Sequence, residues 1–393
     1  MPLTRAALEE IQAECLADDL EIQDHMLAWD WQRAQAYFES GGVDPSLTEA
    51  ELRAEPSSAR VVSSLAVLPP VGCDALMTGE EDARKRGCGR PKPDARVRLF
   101  ALYGVADNTL SLAPIVNQAP DWLEVRLLEL PGHGFRRKER LPPASQPQEV
   151  SAAALTEQRG ELVRHLADEI TLASGIAPFA LYGFSFGAVL MYEVVVELRR
   201  RGARSPLLLC VAGRGAPHCI GMGGELIVAF AQFSNDQVLE WMKQMGFQTD
   251  AIPAAMRPRS AALFRCGMVL GAMPSGAAEL PAGSGSIWTV GGGHSSSAGG
   301  SHPADPKEAL HVESVARITG CRLLSVSGDT DAVWPAELVQ RWEDVADAGY
   351  RSVRLADVTH DRLMNHRQLL QALFGELAVA TAELTNGSLG RDG

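Results

Sequence analysis

Short apolar runs alternate with segments of helical periodicity through the central and C-terminal parts of this chain. Runs that fit buried strands occur at residues 97–102, 123–130, 180–182, 206–213, 321–328 and 352–355. Segments that fit helices follow at residues 110–117, 152–174, 188–198 and 336–346. Strands that alternate with helices are typical of parallel pairing with helices packed on the sheet. The pattern therefore predicts an α/β fold with a mostly parallel sheet and helices on both of its faces.

The alternation is interrupted after the fourth predicted strand. Three helices are predicted there, over residues 225–233, 238–245 and 258–270, and Ser234 and Gln237 are placed as a capping box for the second. A helical insertion at this point of a parallel sheet lies where a lid would cover the strand ends. The same apolar faces would also suit plain core packing, so a lid and a core element are alternatives.

The remaining segments differ from this core in composition. Apolar residues at helical spacing near the N-terminus predict one or two helices, which either dock a partner or pack on their own domain. We divide the chain into an N-terminal helical extension (1–42), a partly disordered linker (43–94) and a main domain (95–385), which contains the lid (221–274) and a flexible Gly/Ser-rich insertion (275–314). The insertion is poor in large apolar residues, and we expect it to be dispensable for folding.

Composition and charge exclude several classes of protein. The chain has 393 residues, 46% of them hydrophobic, which is enough to build a large core. A net charge of -13 argues against non-specific nucleic-acid binding. The cysteines, seven in number, are scattered without C-x-x-C pairs and indicate a reducing compartment without a disulfide framework or zinc site. Because no run of 18 apolar residues and no secretory signal is evident, we expect a soluble cytoplasmic protein without a membrane span.

The sequence Gly183-Phe184-Ser185-Phe186-Gly187 stands between an apolar run and an apolar helical segment. A G-x-S-x-G pattern in this context is typical of a nucleophile elbow, in which a serine lies on a sharp turn between a strand and a helix. The glycines are needed because strand and helix nearly touch at such a turn. Ser185 is therefore the candidate nucleophile.

A serine hydroxyl becomes nucleophilic when a base accepts its proton and an acid holds that base in the right tautomer. Asp331 and His360 follow Ser185 in the order Ser, acid, His, and each of the three comes after a predicted strand. Because the carboxyl ends of parallel strands share one edge of a sheet, we expect the three side chains to meet there. The nearby Asp329 and His366 are the alternative acid and base.

From about residue 97 to residue 374 the chain resembles a type II thioesterase of the kind that accompanies polyketide and non-ribosomal peptide synthases, which is an α/β-hydrolase. The resemblance rests on Leu99-Phe100, Leu130-Pro131-Gly132, the elbow, Ala212-Gly-Arg-Gly-Ala-Pro-His218, Gly328-Asp-Thr-Asp331, Trp342 and His360. The interval of 29 positions between Asp331 and His360 is normal for that family. The longer interval between Ser185 and Asp331 is explained by the Gly/Ser-rich insertion.

The resemblance implies an oxyanion hole made by the backbone N–H groups of Phe186 and of a residue near Val105. The family usually carries a Pro-x-Ala-Gly-Gly turn after the first strand, whereas this chain has Tyr103-Gly104-Val105-Ala106-Asp107. As candidate substrate-binding residues we take Tyr103, Phe184, Trp241 and Met242.

The resemblance also implies a substrate and a partner. The substrate is an acyl thioester on the phosphopantetheine arm of an acyl or peptidyl carrier protein, which is the expected partner. We expect no cofactor of the chain's own, no metal and no nucleic acid, and the sequence indicates no particular oligomeric state. Two other functions are compatible with the residues. One is a serine hydrolase of oxygen esters or lipids, and the other is an inactive hydrolase-fold protein that binds partners through its N-terminal helices.

Overall fold

The structure is a computed structural model that describes residues 95–389 together with Thr4 and Lys92. Within that range it leaves out residues 138, 140, 142, 148–150, 220–223, 245, 246, 248, 273–314 and 348. The predicted N-terminal extension and linker, apart from the two isolated residues, lie outside the described part of the chain, and so does the Gly/Ser-rich insertion. The expectations for those segments stay predictions.

Six strands form one parallel sheet with the order β2-β1-β3-β4-β5-β6. The strands are β1 (Val97–Leu102), β2 (Leu123–Leu127), β3 (Phe179–Phe184), β4 (Leu208–Ala212), β5 (Arg322–Gly328) and β6 (Tyr350–Leu355). Every residue of β3 and of β4 is buried, so both faces of the sheet are covered at its centre. Because both faces are buried, neither strand needs polar residues at alternate positions, and their sequences are continuous apolar runs. The predicted fold class is confirmed.

Seven of the nine α-helices among the described residues occur where the periodicity indicated, and the last two along the chain were not predicted. The nine helices are α1 (Ala113–Gln118), α2 (Ala152–Ser174), α3 (Phe186–Arg200), α4 (Gly224–Gln232), α5 (Asn235–Gln244), α6 (Arg257–Ala272), α7 (Ala336–Gln340), α8 (His360–Leu363) and α9 (Arg367–Leu389). Helices α2 and α3 pack against each other, and α9 packs along β4, β5 and β6. No helix among the described residues is long and apolar enough to cross a membrane.

Two elements end well before their predicted bounds, and several other bounds differ by one to three residues. The second strand ends at Leu127, because the backbone of the next residues turns to side-chain partners: the carbonyl of Glu129 accepts from Arg136 at 3.0 Å and the N–H of Leu130 donates to Tyr103 at 2.9 Å. The helix predicted over residues 336–346 ends at Gln340 and continues as a 3-10 helix.

Helices α4, α5 and α6 form a cap between β4 and β5 in the chain, and they pack on one another. The capping box of α5 is confirmed, since the N–H of Ser234 donates to the side chain of Gln237 at 2.7 Å and the N–H of Gln237 donates to Ser234 Oγ at 3.2 Å. Helix α6 also contacts α2 and α3 of the main domain, so the cap is seated on the sheet's own helices.

Candidate active site

Ser185 lies on the sharp turn between β3 and α3. Its φ of 52° is positive, which is strained for a residue with a side chain and typical of a nucleophile elbow. A Cβ on Gly183 would lie 2.4 Å from the carbonyl oxygen of Gly187, and one on Gly187 would lie 2.5 Å from that of Tyr103. Both glycines are therefore required by backbone contacts, and the N–H of Ser185 fixes the turn by donating to Ala212 at 2.8 Å.

Asp331 and His360 form a hydrogen-bonded pair at the carboxyl edge of the sheet. His360 Nδ1 lies 2.8 Å from Asp331 Oδ2, and the carboxylate is fully buried. Asp331 Oδ1 accepts the backbone N–H groups of Val333 at 2.8 Å and of Trp334 at 2.9 Å. Asp331 Oδ2 accepts a hydrogen bond from Nδ1–H of His360, which leaves Nε2 of the neutral imidazole as the base.

The alternative acid and base are placed differently. Asp329 is exposed, and its Oδ1 accepts the backbone N–H of Asp357 at 2.7 Å. His366 Nδ1 is buried, and it makes no hydrogen bond with any described residue. Of the four side chains, Asp331 and His360 alone are paired with each other, which supports the preferred assignment.

Ser185 and His360 share neighbours, although their side chains are not hydrogen bonded to each other. The ring of Phe184 lies 4.9 Å from the His360 ring, centroid to centroid. A Cβ on Gly213 would meet Phe184 at 2.8 Å and His360 at 3.1 Å, so the imidazole lies over the end of β4, beside the elbow. Within the described part of the chain the Ser185 hydroxyl has no hydrogen-bond partner. Bonds of this kind often form only when substrate is bound.

The predicted oxyanion hole consists of the backbone N–H groups of Phe186 and Val105. Phe186 is the first residue of α3, where N–H groups have no acceptor inside the helix and the helix dipole favours negative charge. Among the described residues, neither N–H group donates a hydrogen bond. The Cβ of Ser185 lies 3.4 Å from where a Cβ on Gly104 would be, so the turn that carries Val105 passes close to the serine.

Tyr103 has a different place from the one predicted. Its side chain is fully buried, its hydroxyl donates to Glu129 Oε1 at 2.5 Å, and it accepts the N–H of Leu130 at 2.9 Å. Burial, with the charge of Glu129 as the next cause, raises the pKa of Tyr103 well above its ordinary value. Because its hydroxyl is hydrogen bonded to these two residues, the buried Tyr103 stabilises the turn that follows β1. Its side chain has no polar group left to bind a substrate.

Glu129 was missed by the sequence reasoning. It is fully buried and also accepts the hydroxyl of Thr109 at 2.8 Å, so it joins β1, the end of β2 and the segment before α1. The available signal was an acidic residue inside the apolar run Leu127-Leu-Glu-Leu130. An acid in such a run indicates a buried carboxylate with specific partners.

Trp241 and Met242 are both buried in the packing of the cap. The Trp241 ring lies 5.2 Å from Phe230 and 5.8 Å from Phe264, on the two neighbouring helices. This packing gives both residues a structural role, and contact with an acyl chain stays a prediction for them.

Arg214 belongs to the loop after β4 and was given no role from the sequence. Its guanidinium lies 4.2 Å from the ring centroid of Trp334, whose backbone N–H holds Asp331. It also donates to the carbonyl of Gly271 at 2.6 Å, so it joins the loop of the acid to the end of α6. The described residues contain no group of three or more His, Cys, Asp or Glu side chains that could hold a metal ion.

A family model described as the thioesterase domain matches residues 117–246, which include the elbow and precede Asp331 and His360. Three solved structures are similar in fold. RedJ with a PEG molecule in its active site is 23% identical, with coverage of 73% of this chain and 93% of that chain and a TM-score of 0.51. RedJ, a thioesterase from the prodiginine pathway of Streptomyces coelicolor, is again 23% identical, with coverages of 74% and 92% and a TM-score of 0.50.

ClbQ from the colibactin NRPS/PKS pathway is 14% identical, with coverage of 73% of this chain and 98% of that chain and a TM-score of 0.50. At these identities the solved structures show the fold alone. A search of curated proteins finds no match to this chain. The match to the thioesterase domain and the similarity in fold both agree with the resemblance to type II thioesterases that the sequence showed.

Proposed function

We propose that this chain, a thioesterase of the α/β-hydrolase fold, releases acyl groups from the phosphopantetheine arm of a carrier protein through an acyl-serine intermediate on Ser185. The observation that carries the mechanism is the bond of 2.8 Å between His360 and the buried Asp331, at the same sheet edge as the elbow. The pair supplies an oriented base beside the elbow that carries Ser185.

In the first half of the reaction, Ser185 Oγ attacks the thioester carbonyl while His360 Nε2 accepts the hydroxyl proton. The negative charge that develops on the carbonyl oxygen is stabilised by the N–H groups of Phe186 and Val105. The C–S bond then breaks, and the departing sulfur of the carrier receives the proton from His360. The acyl group is left as an ester on Ser185.

In the second half, a water molecule takes the place of the thiol. His360 Nε2 accepts a proton from the water, whose oxygen attacks the ester carbonyl, and then returns the proton to Ser185 Oγ as the C–O bond breaks. The products are the free acid and the regenerated serine. Asp331 stays ionised throughout and stabilises the imidazolium that forms in each half.

The proposed carrier-protein partner and biosynthetic role are inferred from the similarity to other proteins. RedJ is described as a thioesterase from a prodiginine pathway, and ClbQ as coming from an NRPS/PKS pathway. A place beside a polyketide, non-ribosomal peptide or fatty acid synthase of the cytoplasm, as an editing or release enzyme, fits these relatives and the type II thioesterase resemblance.

The test compares an acyl-pantetheine thioester with the matched oxygen ester, at equal acyl group and enzyme concentration. The proposal predicts a higher kcat/KM for the thioester, and no activity on either in Ser185→Ala. A preference for the oxygen ester would favour the esterase alternative. Failure of Ser185 to react with a fluorophosphonate, together with no turnover, would favour the inactive binding module.

A further inference from the structure

Helix α6 of the cap passes directly beside the two residues that supply the proposed oxyanion hole. A Cβ placed on Gly267 would lie 2.9 Å from Val105 Cγ1, 3.0 Å from Cγ2 and 3.2 Å from Cβ. A Cβ placed on Gly271 would lie 2.9 Å from Cδ2 of Phe186. Non-bonded carbon atoms prefer about 3.5 to 4.0 Å, so neither position accepts any side chain without movement of its neighbour.

The two glycines are four positions apart and therefore on one face of α6. Both are buried. Gly267 lies in the interior of the helix, where glycine weakens the helix relative to alanine, and Gly271 lies in its last turn. The close approach explains why glycine occurs here: one turn of α6 lies against Val105, and the next lies against Phe186.

Two arginines from outside the cap hold the C-terminal end of α6. Arg214 donates to the carbonyl of Gly271 at 2.6 Å, and Arg159 donates to that of Leu270 at 3.2 Å. These are carbonyls of the last turn, which have no partner inside the helix. Because Arg214 also lies over Trp334, the position of α6 is tied to the loop that carries Asp331.

We propose that Gly267 and Gly271 are positioning residues for the oxyanion hole. By letting α6 touch Val105 and Phe186 without a side chain between them, they set the distance between the 103–107 turn and the start of α3, and hence the spacing of the two N–H donors. This inference rests on the proposed function, because it assigns the donors to a transition state at Ser185.

The test is Gly267→Ala in the full chain, measured with the acyl-pantetheine thioester and by the rate of Ser185 labelling with a fluorophosphonate. The new methyl group displaces the turn by about 0.5 Å or more, the difference between the distances above and ordinary contact. Since misplacement of 1 Å can cost about 100-fold, we expect kcat and the labelling rate to fall about 10- to 100-fold while KM changes less than about threefold.

Two further variants separate positioning from general damage. Gly375→Ala in α9 is the matched control, because a Cβ there meets nothing within 4 Å, and it should leave kcat unchanged. The double variant Val105→Ala with Gly267→Ala removes Cγ1 and Cγ2, the two atoms that the new methyl group meets most closely, and leaves only the Cβ contact at 3.2 Å. It keeps both N–H groups, so its kcat and labelling rate should recover most of the way to those of Val105→Ala alone.

Unchanged kcat and labelling in Gly267→Ala would overturn the inference while the proposed function stood. So would a double variant as slow as Gly267→Ala. If Gly267→Ala does not fold, Gly271→Ala takes its place, because its methyl group meets one ring atom closely and the next two at 3.6 and 3.7 Å; wild-type kcat and labelling there would also overturn it. If the wild-type protein neither hydrolyses the thioester nor is labelled, the proposed function is wrong and the inference falls with it.

Discussion

Replacement of Asp331 by Asn should remove most activity through the tautomer of His360. The backbone N–H groups of Val333 and Trp334 hold Oδ1 of Asp331 at 2.8 and 2.9 Å. In Asp331→Asn those donors select the amide oxygen, so the amide NH₂ faces His360 in the place of Oδ2. An NH₂ group can only donate, which makes Nδ1 the acceptor and places the proton on Nε2.

A proton on Nε2 prevents His360 from accepting the proton of Ser185. Loss of the correct tautomer in a serine triad lowers kcat about 10⁴-fold, or about 5 kcal/mol at 1.36 kcal/mol for each factor of ten. Asp329→Asn is the matched control, because the amide oxygen can still accept the N–H of Asp357, and it should change kcat less than about threefold.

The assay is kcat for an acyl-pantetheine thioester in both variants, with circular dichroism and thermal unfolding to show that each is folded. Equal losses in the two variants, or an Asp331→Asn enzyme within about tenfold of wild type, would refute the assignment of Asp331 as the acid and the geometric reasoning behind it.

Three other predictions concern the elbow, the cap and a buried imidazole. Gly187→Ala places a Cβ 2.5 and 2.6 Å from backbone oxygens of β1 and its following turn, and should lower the free energy of unfolding by about 1–3 kcal/mol or more, which denaturant titration against Gly375→Ala will measure. Trp241→Ala should lower the free energy of unfolding by about 3–5 kcal/mol. If the cap lines the acyl site, the same change should also alter the ratio of kcat/KM for two-carbon and eight-carbon thioesters, whereas an unchanged ratio would mean that the cap has only a packing role. Burial, with smaller contributions from Arg259 and Arg136, lowers the pKa of His133 from 6.5 to about 4. The unfolded chain therefore binds a proton that the folded chain does not between those values, and stability should fall as the pH drops from 6.5 to 4, by about 3 kcal/mol at most. His133→Asn, measured by unfolding at pH 7 and pH 4.5, should show a smaller loss, and an equal loss would contradict burial of His133 as the cause.

Much of the frame follows from local patterns in the sequence. The bounds of β1 and α2 are those predicted, because each is a clear apolar run or periodic segment with a turn or cap beside it. The elbow and the order of Ser185, Asp331 and His360 could be placed because parallel strands bring their carboxyl ends to one edge. The order of these three residues along the chain was therefore enough to predict that they lie at the same edge of the sheet.

What the sequence did not reveal depends on contacts between distant segments. Tyr103 was expected at the substrate, but its partner Glu129 lies 26 positions away and is recognised only when β1 and β2 are side by side. The sequence did not indicate a role for Gly267, because its contact with Val105 depends on how α6 packs against the turn after β1. Such contacts arise from packing between elements, which local propensity does not encode.

The most direct test of the account is mass spectrometry of Ser185 after the protein is mixed with an acyl-loaded carrier protein and quenched in acid. The account predicts that the peptide containing Ser185 gains the mass of the acyl group minus that of one hydrogen, that the adduct decays as free acid appears, and that Ser185→Ala shows neither adduct nor acid. Release of acid by the Ser185→Ala protein at the wild-type rate would contradict it.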